Sequence, residues 1–190
     1  MVPLDLASLR AAVAQGHRFE YRYFFGHTPR PDGKLSNACL SQWWPCRFSV
    51  GGVTYSSAEQ WMMAAKARTF GDEATLARIL ETHDPAAVKQ LGREVRGFDG
   101  ERWDALRFDL VTAGNVAKFG DDPGLREFLL ATGEQVLVEA APRDQIWGIG
   151  LSAGNDKAKD PATWRGRNLL GFALMRARGV LRQELPPPRI

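Results

Sequence analysis

The chain has few of the residues that usually build a metal centre or a disulfide scaffold. Its two cysteines, Cys39 and Cys46, are too few for a disulfide framework and suit a reducing compartment, although one bridge between them stays open. The three histidines stand apart at positions 17, 27 and 83, so no ligand set for a metal emerges. No run approaches the roughly 18 apolar residues of a membrane-spanning helix. The amino terminus, MVPLDLASLRAAVAQGHRF, carries Asp5 and has no continuous apolar core, so it does not read as a secretory signal. A cytoplasmic protein without a membrane partner is the expectation. The glycine fingerprints of dinucleotide-binding folds and phosphate loops are missing, as are internal repeats and a domain linker. Charge is not strongly one-sided either. Lys and Arg number 25 against 22 Asp and Glu, and the resulting +3 makes no case for nucleic acid but suits a phosphorylated ligand.

What remains is an ordinary globular composition, 44% apolar and 25% charged, over 190 residues. That length suits one domain able to bury roughly 70% of its extended surface. Six Trp and ten Phe stand out, because large rings fill cores and also build stacking surfaces for planar ligands. The apolar spacing predicts helices near 4–15, 58–70, 73–81, 85–92, 101–119, 123–131 and 168–181. Strands are predicted at 18–25, 47–50, 53–55 and 136–140, the middle two joined as a hairpin through Gly51 and Gly52. Two long polar loops, 26–45 and 141–166, separate these elements. Many helices with few strands argue for an α+β fold, a mostly helical single domain with a small, mainly antiparallel sheet. Residues 1–23 read as an N-terminal extension with a helix, 24–182 as the main domain and 183–190 as a flexible tail.

Glu59 is the first candidate for chemistry. The helix after the hairpin starts on Ser57 with Gln60 as its capping partner, or on Ser56 with Glu59. A carboxylate in that first turn can orient water or stabilise a cationic, sugar-like transition state. Lys66 lies two turns along the same face, about 10 Å away at ~1.5 Å per residue, so that both can reach one ligand. A plain cap and a solvated lysine would explain the pair equally simply. In the second loop, Asp144 could be a second acid, Trp147 could stack on a base, and Gly148 permits close backbone approach. In the first loop, His27, Asn37 and the pair Trp43–Trp44 offer a titratable ring, a base-edge partner and stacking faces. Arg93 and Lys118 are candidate phosphate ligands. Core packing, loop-stapling hydrogen bonds and surface charge are the rival explanations for these residues.

The run YSSAEQWMMAAKA at 55–67 resembles the NADAR family, also called YbiA-like. Matching pieces recur in order: FFGHTP at 24–29, LSNACLSQWWP at 35–45, FSVGGVTY at 48–55, LGREVRGFD at 91–99 and NVAKF at 115–119. They continue with LLATG at 129–133, LVEAAPRDQIWGIGL at 137–151 and WRGRNLLGFALMRAR at 164–178. The order and spacing of these motifs make the match specific. Ala141 departs from it, where relatives carry Ser before the proline. The resemblance implies an N-glycosidase that breaks a ribose C1′–N bond. The substrate would be a ribosylamino-pyrimidine phosphate of riboflavin biosynthesis or ADP-ribosylated guanine in DNA. It maps the family's acid onto Glu59, its helix lysine onto Lys66 and its Asp-x-x-Trp-Gly onto Asp144, Trp147 and Gly148. Phe25, His27, Asn37, Arg93 and Lys118 complete the expected substrate contacts. No metal or redox cofactor is called for. The alternative is a non-catalytic module that binds ADP-ribose or a nucleotide.

Overall fold

A computed structural model describes residues 3–188. Its elements follow in the order α1 (Leu6–Ala14), β1 (Tyr21–Phe24), β2 (Phe48–Val50), β3 (Val53–Tyr55), α2 (Ala58–Thr69), α3 (Glu73–Glu81), α4 (Pro85–Arg93), α5 (Gly100–Asp121), α6 (Pro123–Ala131), β4 (Val136–Glu139) and α7 (Leu169–Leu181). The helix starts are written in the sequence. Asp5, Ser57, Asp72, Asp84, Asp99 and Asp122 each accept a backbone N–H of the first turn. Each such cap contributes about 1 kcal/mol. Among the helices of the described residues, α7 alone lacks a side-chain cap; its start residue, Asn168, is left-handed at φ 53° and uses its amide elsewhere.

The protein is the mixed, mainly helical domain that the pattern predicts, with two separate two-stranded ladders among the described residues. The antiparallel one is the β2–β3 hairpin, turned by Gly51 and Gly52 at φ 58° and 78°, where a side chain would be strained. The other ladder is parallel, not antiparallel, and pairs Tyr21 with Val136 through Phe24 with Glu139. Its strands are separated in sequence by the hairpin and helices α2–α6, so the chain returns in the same direction through a crossover. Val136, Leu137 and Val138 of β4 are fully buried, which explains an apolar run without alternation.

Helix α2 sits at the centre, with nine of its twelve residues buried. Glycines let its neighbours approach closely. A Cβ on Gly114 of α5 would lie 2.1 Å from the Trp61 ring, and one on Gly92 of α4 would lie 1.9 Å from Met63 Sδ. Trp61 Nε1 then donates to Leu110 O at 2.7 Å, fixing α2 on α5. The N-terminal helix packs on the same body: Leu9 is fully buried, and Arg10 donates to Pro161 O and Trp164 O. At the other end the segment read as a flexible tail starts with an anchored turn, Glu184 and Leu185 both donating to Gly179 O. Residues 189 and 190 lie outside the described residues. Both cysteines are free thiols.

Candidate functional site

The site begins with the way α2 is capped. Ser57 Oγ accepts the Gln60 N–H at 3.1 Å, and Gln60 Oε1 turns back to the Ser56 N–H at 2.7 Å. The Gln60 amide also donates to the carbonyls of Ile79, Leu80 and Thr82, which closes the end of α3. Capping therefore needs nothing from the Glu59 carboxylate. The Glu59 N–H is bound to Gln42 O at 2.9 Å, so the first loop is pinned to this turn. The Glu59 residue is only 3% exposed, and its Oε1 has no hydrogen-bond partner in the protein. Burial pushes its pKa up to about 7; Lys89 and the Trp43 indole hold it down, and Asp144 adds to the rise.

A second carboxylate arrives from β4. Glu139 ends the strand opposite Phe24, and its N–H donates to Asn168 Oδ1 at 2.9 Å. The same Asn168 side chain donates to Leu137 O at 2.9 Å, which is why its backbone is held left-handed at the start of α7. Glu139 Oε2 is enclosed and has no partner. Burial, followed by the charges of Asp144 and Glu59, drives its pKa up to about 8 against the pull of Lys89. Asp144 itself ties the next turn: its Oδ1 accepts the N–H groups of Ile146 and Trp147 at 2.9 and 2.8 Å. Gly148 packs this turn against the strand end, since a Cβ there would lie 2.9 Å from Glu139 O.

Tryptophans and cations flank these acids. Trp43 faces the His27 ring, centroids 5.3 Å apart, and the Lys89 ammonium lies 5.6 Å from the Trp43 centroid. On the other side the Arg107 guanidinium lies 5.9 Å from the Trp147 centroid. Arg107 is buried; one Nη pairs with Asp104 at 2.9 Å, but Nε has no partner. Burial lowers its pKa; Asp104 opposes that shift, and Arg167 reinforces it. Phe25, one residue past β1, is 67% exposed at the same end of the ladder. Among the described residues, the buried side-chain atoms without partners are Gln42 Nε2, Glu59 Oε1, Arg107 Nε, Asn115 Oδ1 and Glu139 Oε2. All five belong to this region, because Gln42 precedes Trp43 and Asn115 donates to Gln42. Buried polar groups are ordinarily paired. Five bare ones in one place mark where a polar ligand is to be met.

Several expected residues are thus together: Glu59 and Asp144, with Trp147, His27 and Phe25 around them. Others are elsewhere. Lys66 donates to Gly92 O at 2.6 Å and sits 4.1 Å from the Phe98 centroid; the lysine that acts on Glu59 is Lys89. Lys118 is fully buried and donates to Cys39 O and Ser41 O, so it nails the first loop to α5 and is not a phosphate ligand. Asn37 is a loop staple, donating to Tyr23 O and accepting from Arg22. Gly148 serves packing. Arg93 is exposed one turn beyond Lys89, 3.5 Å from Gln90 Oε1. Sequence reasoning missed Glu139, Lys89 and Arg107 as site residues. A lone acid closing the apolar run VLVE was the one local signal for Glu139. A hollow of about 580 Å³ does exist at the opposite, N-terminal ends of β1 and β4. There Arg22 is already paired with Gln135 and Asn37.

The fold and the site together define a small α+β domain that gathers acids at one end of a parallel strand pair. The family profile of the NADAR domain matches residues 23–182, and the chain belongs to that family. It is 46% identical over 144 residues to "N-glycosidase R617" of Acanthamoeba polyphaga mimivirus, covering 73% of this chain and 85% of that protein. It is 29% identical over 147 residues to "Riboflavin biosynthesis protein VVA0006" of Vibrio vulnificus, covering 77% of this chain but 36% of that longer protein. The NMR structure of the E. coli protein YbiA shares the fold, with a TM-score of 0.69 over 88% of each chain at 23% identity. No helix among the described residues is long and apolar enough to cross a membrane.

Proposed function

We propose that the protein is an N-glycosidase that hydrolyses the bond between ribose C1′ and a base nitrogen. One observation carries this reading: Glu59 and Glu139, with Asp144 beside them, converge between Trp43 and Trp147 and keep unpartnered carboxylate oxygens. Cleaving a C1′–N bond builds positive charge on the sugar, which a carboxylate enclosed in protein stabilises strongly. Glu59 guides water to C1′, and the second oxygen of Asp144 holds a ribose hydroxyl. A tryptophan packs on the base. Arg107, whose Nε is unpartnered, receives the phosphoryl end in place of Arg93 and Lys118.

The substrate is a small ribosylamino-pyrimidine phosphate. The name of the Vibrio relative supports riboflavin chemistry, and the mimivirus relative carries the N-glycosidase name. The test offers this compound and ADP-ribosyl-guanine DNA in parallel and follows free base by mass. Release from the pyrimidine alone supports the reading; release from DNA alone overturns the substrate. Glu59→Gln lowers release by ~10²-fold or more. Tight nucleotide binding with no turnover would instead make the domain a binding module.

A further inference from the structure

We infer that Glu139 is the proton donor to the departing base: the carboxyl at the end of β4 and the Glu59 carboxyl at the start of α2 work as a pair that shares one proton. This rests on the N-glycosidase reading. Each of the two acids has an oxygen that is buried and unpartnered, and the charge of Glu59 bears on Glu139. Two such carboxylates in one enclosed space do not both ionise near neutrality. The groups around them decide which keeps the proton. Lys89 of α4 is the largest charge on Glu59 and favours its ionised form, with the Trp43 indole beside it. Asp144 of the following loop is the largest charge on Glu139 and favours its neutral form. The charge of Asp144 bears on Arg107 of α5, and Asp144 Oδ1 is already occupied by two backbone N–H groups, so Asp144 holds the turn and does not compete for the role.

The step balances on these two side chains. The electrons of the C1′–N bond pass to the base nitrogen, which takes the Glu139 proton and leaves as the neutral base. Water adds to C1′ and gives its proton to Glu59. One proton has left Glu139 and one has reached Glu59, so the pair ends with the single proton it began with, and exchange with solvent resets it. Asn168 is the positioning residue for the donor, because its Oδ1 holds the Glu139 N–H.

The experiment compares the unaltered chain, Glu139→Gln and Glu59→Gln on two substrates. One is a ribosylamino-pyrimidine phosphate, assayed from about pH 5 to 10. The other is nicotinamide mononucleotide, whose pyridinium leaves as a neutral base with no proton added. Glu139→Gln is expected to lose ~10²-fold or more on the first substrate and to lose the alkaline limb of its pH profile. On the second it falls by no more than a few-fold, which also reports that it is folded. Glu59→Gln loses ~10²-fold on both. Glu139→Asp keeps a donor and keeps the limb. The assignment is overturned if Glu139→Gln retains the alkaline limb or loses both substrates equally. Lack of turnover by the unaltered chain on both compounds overturns the N-glycosidase reading, and the assignment with it.

Discussion

Replacing Glu59 by Gln should make the protein more stable while it stops turnover, and the gain should grow with pH. Glutamine has the shape of a protonated glutamate and no charge to bury. The carboxyl of Glu59 titrates near 4.5 in a free chain and is raised to about 7 in the fold. Between those values the folded state holds more protons than the unfolded one, so stability falls as pH rises through that window and is flat above it. A shift from 4.5 to about 7 amounts to about 3 kcal/mol of folding free energy withheld at pH 9, and about 1 kcal/mol at pH 5. At ~2–4 °C per kcal/mol for a chain of this size, the melting temperature of Glu59→Gln should exceed that of the unaltered protein by roughly 6–12 °C at pH 9. At pH 5 the excess shrinks to roughly 2–4 °C. Thermal melts by circular dichroism at the two pH values read this directly. Equal melting temperatures at pH 9, or a gain that shrinks with rising pH, would refute the claim that burial of this carboxylate outweighs the pull of Lys89 and Trp43.

Two further substitutions separate the lysines. Lys89→Met removes the charge that favours ionised Glu59, so the acidic limb of the pH–rate profile moves to higher pH; Lys66→Met, distant from that charge, leaves the limb in place. Lys118→Met leaves the carbonyls of Cys39 and Ser41 unpaired, at ~1–3 kcal/mol each for a bare buried acceptor, partly offset by removing a buried charge. Calorimetry should show a loss of about 2 kcal/mol. Hydrogen exchange should show faster opening of the 37–44 segment that carries Trp43.

The parts of the molecule that local chemistry decides were legible in the chain. Asp84 before Pro85 and Ser57 before a run of strong helix formers mark helix starts, and Gly51–Gly52 marks a turn that only glycines make without strain. The parallel ladder was not legible, because nothing near Tyr21 says that it will pair with Val136 beyond five intervening helices. That pairing sets the end of β4 beside the end of β1, and with it the position of Glu139. Lys118 failed for a related reason. A lone lysine in a helix reads as a surface cation, and only the packing of α5 on the first loop turns it into an anchor for two carbonyls. Lys89 gave no signal, since its place depends on Gly92 letting α4 close on Met63. Glu59, Asp144 and Trp147 stood out as candidates because each sits at a boundary, a helix start or a turn after a strand.

Those boundaries also explain how the fold tolerates the site. Around the acids the backbone is held closely: the Glu59 N–H by Gln42, the Glu139 N–H by Asn168, the Trp147 N–H by Asp144 and the first loop by Lys118. The unpaired buried atoms are side-chain tips, and they lie together. A chain selected for stability alone would pair or delete them, because a bare buried polar group costs ~1–3 kcal/mol. Here the N–H groups that carry Glu59, Glu139 and Trp147 are bonded and the tips are bare. The groups left without partners, an acid at each end of a proton path and a guanidinium beside a tryptophan, are those that a charged, ring-bearing substrate could satisfy. The instability is therefore local and belongs to the chemistry, so each substitution that quiets one of these tips should trade activity for melting temperature.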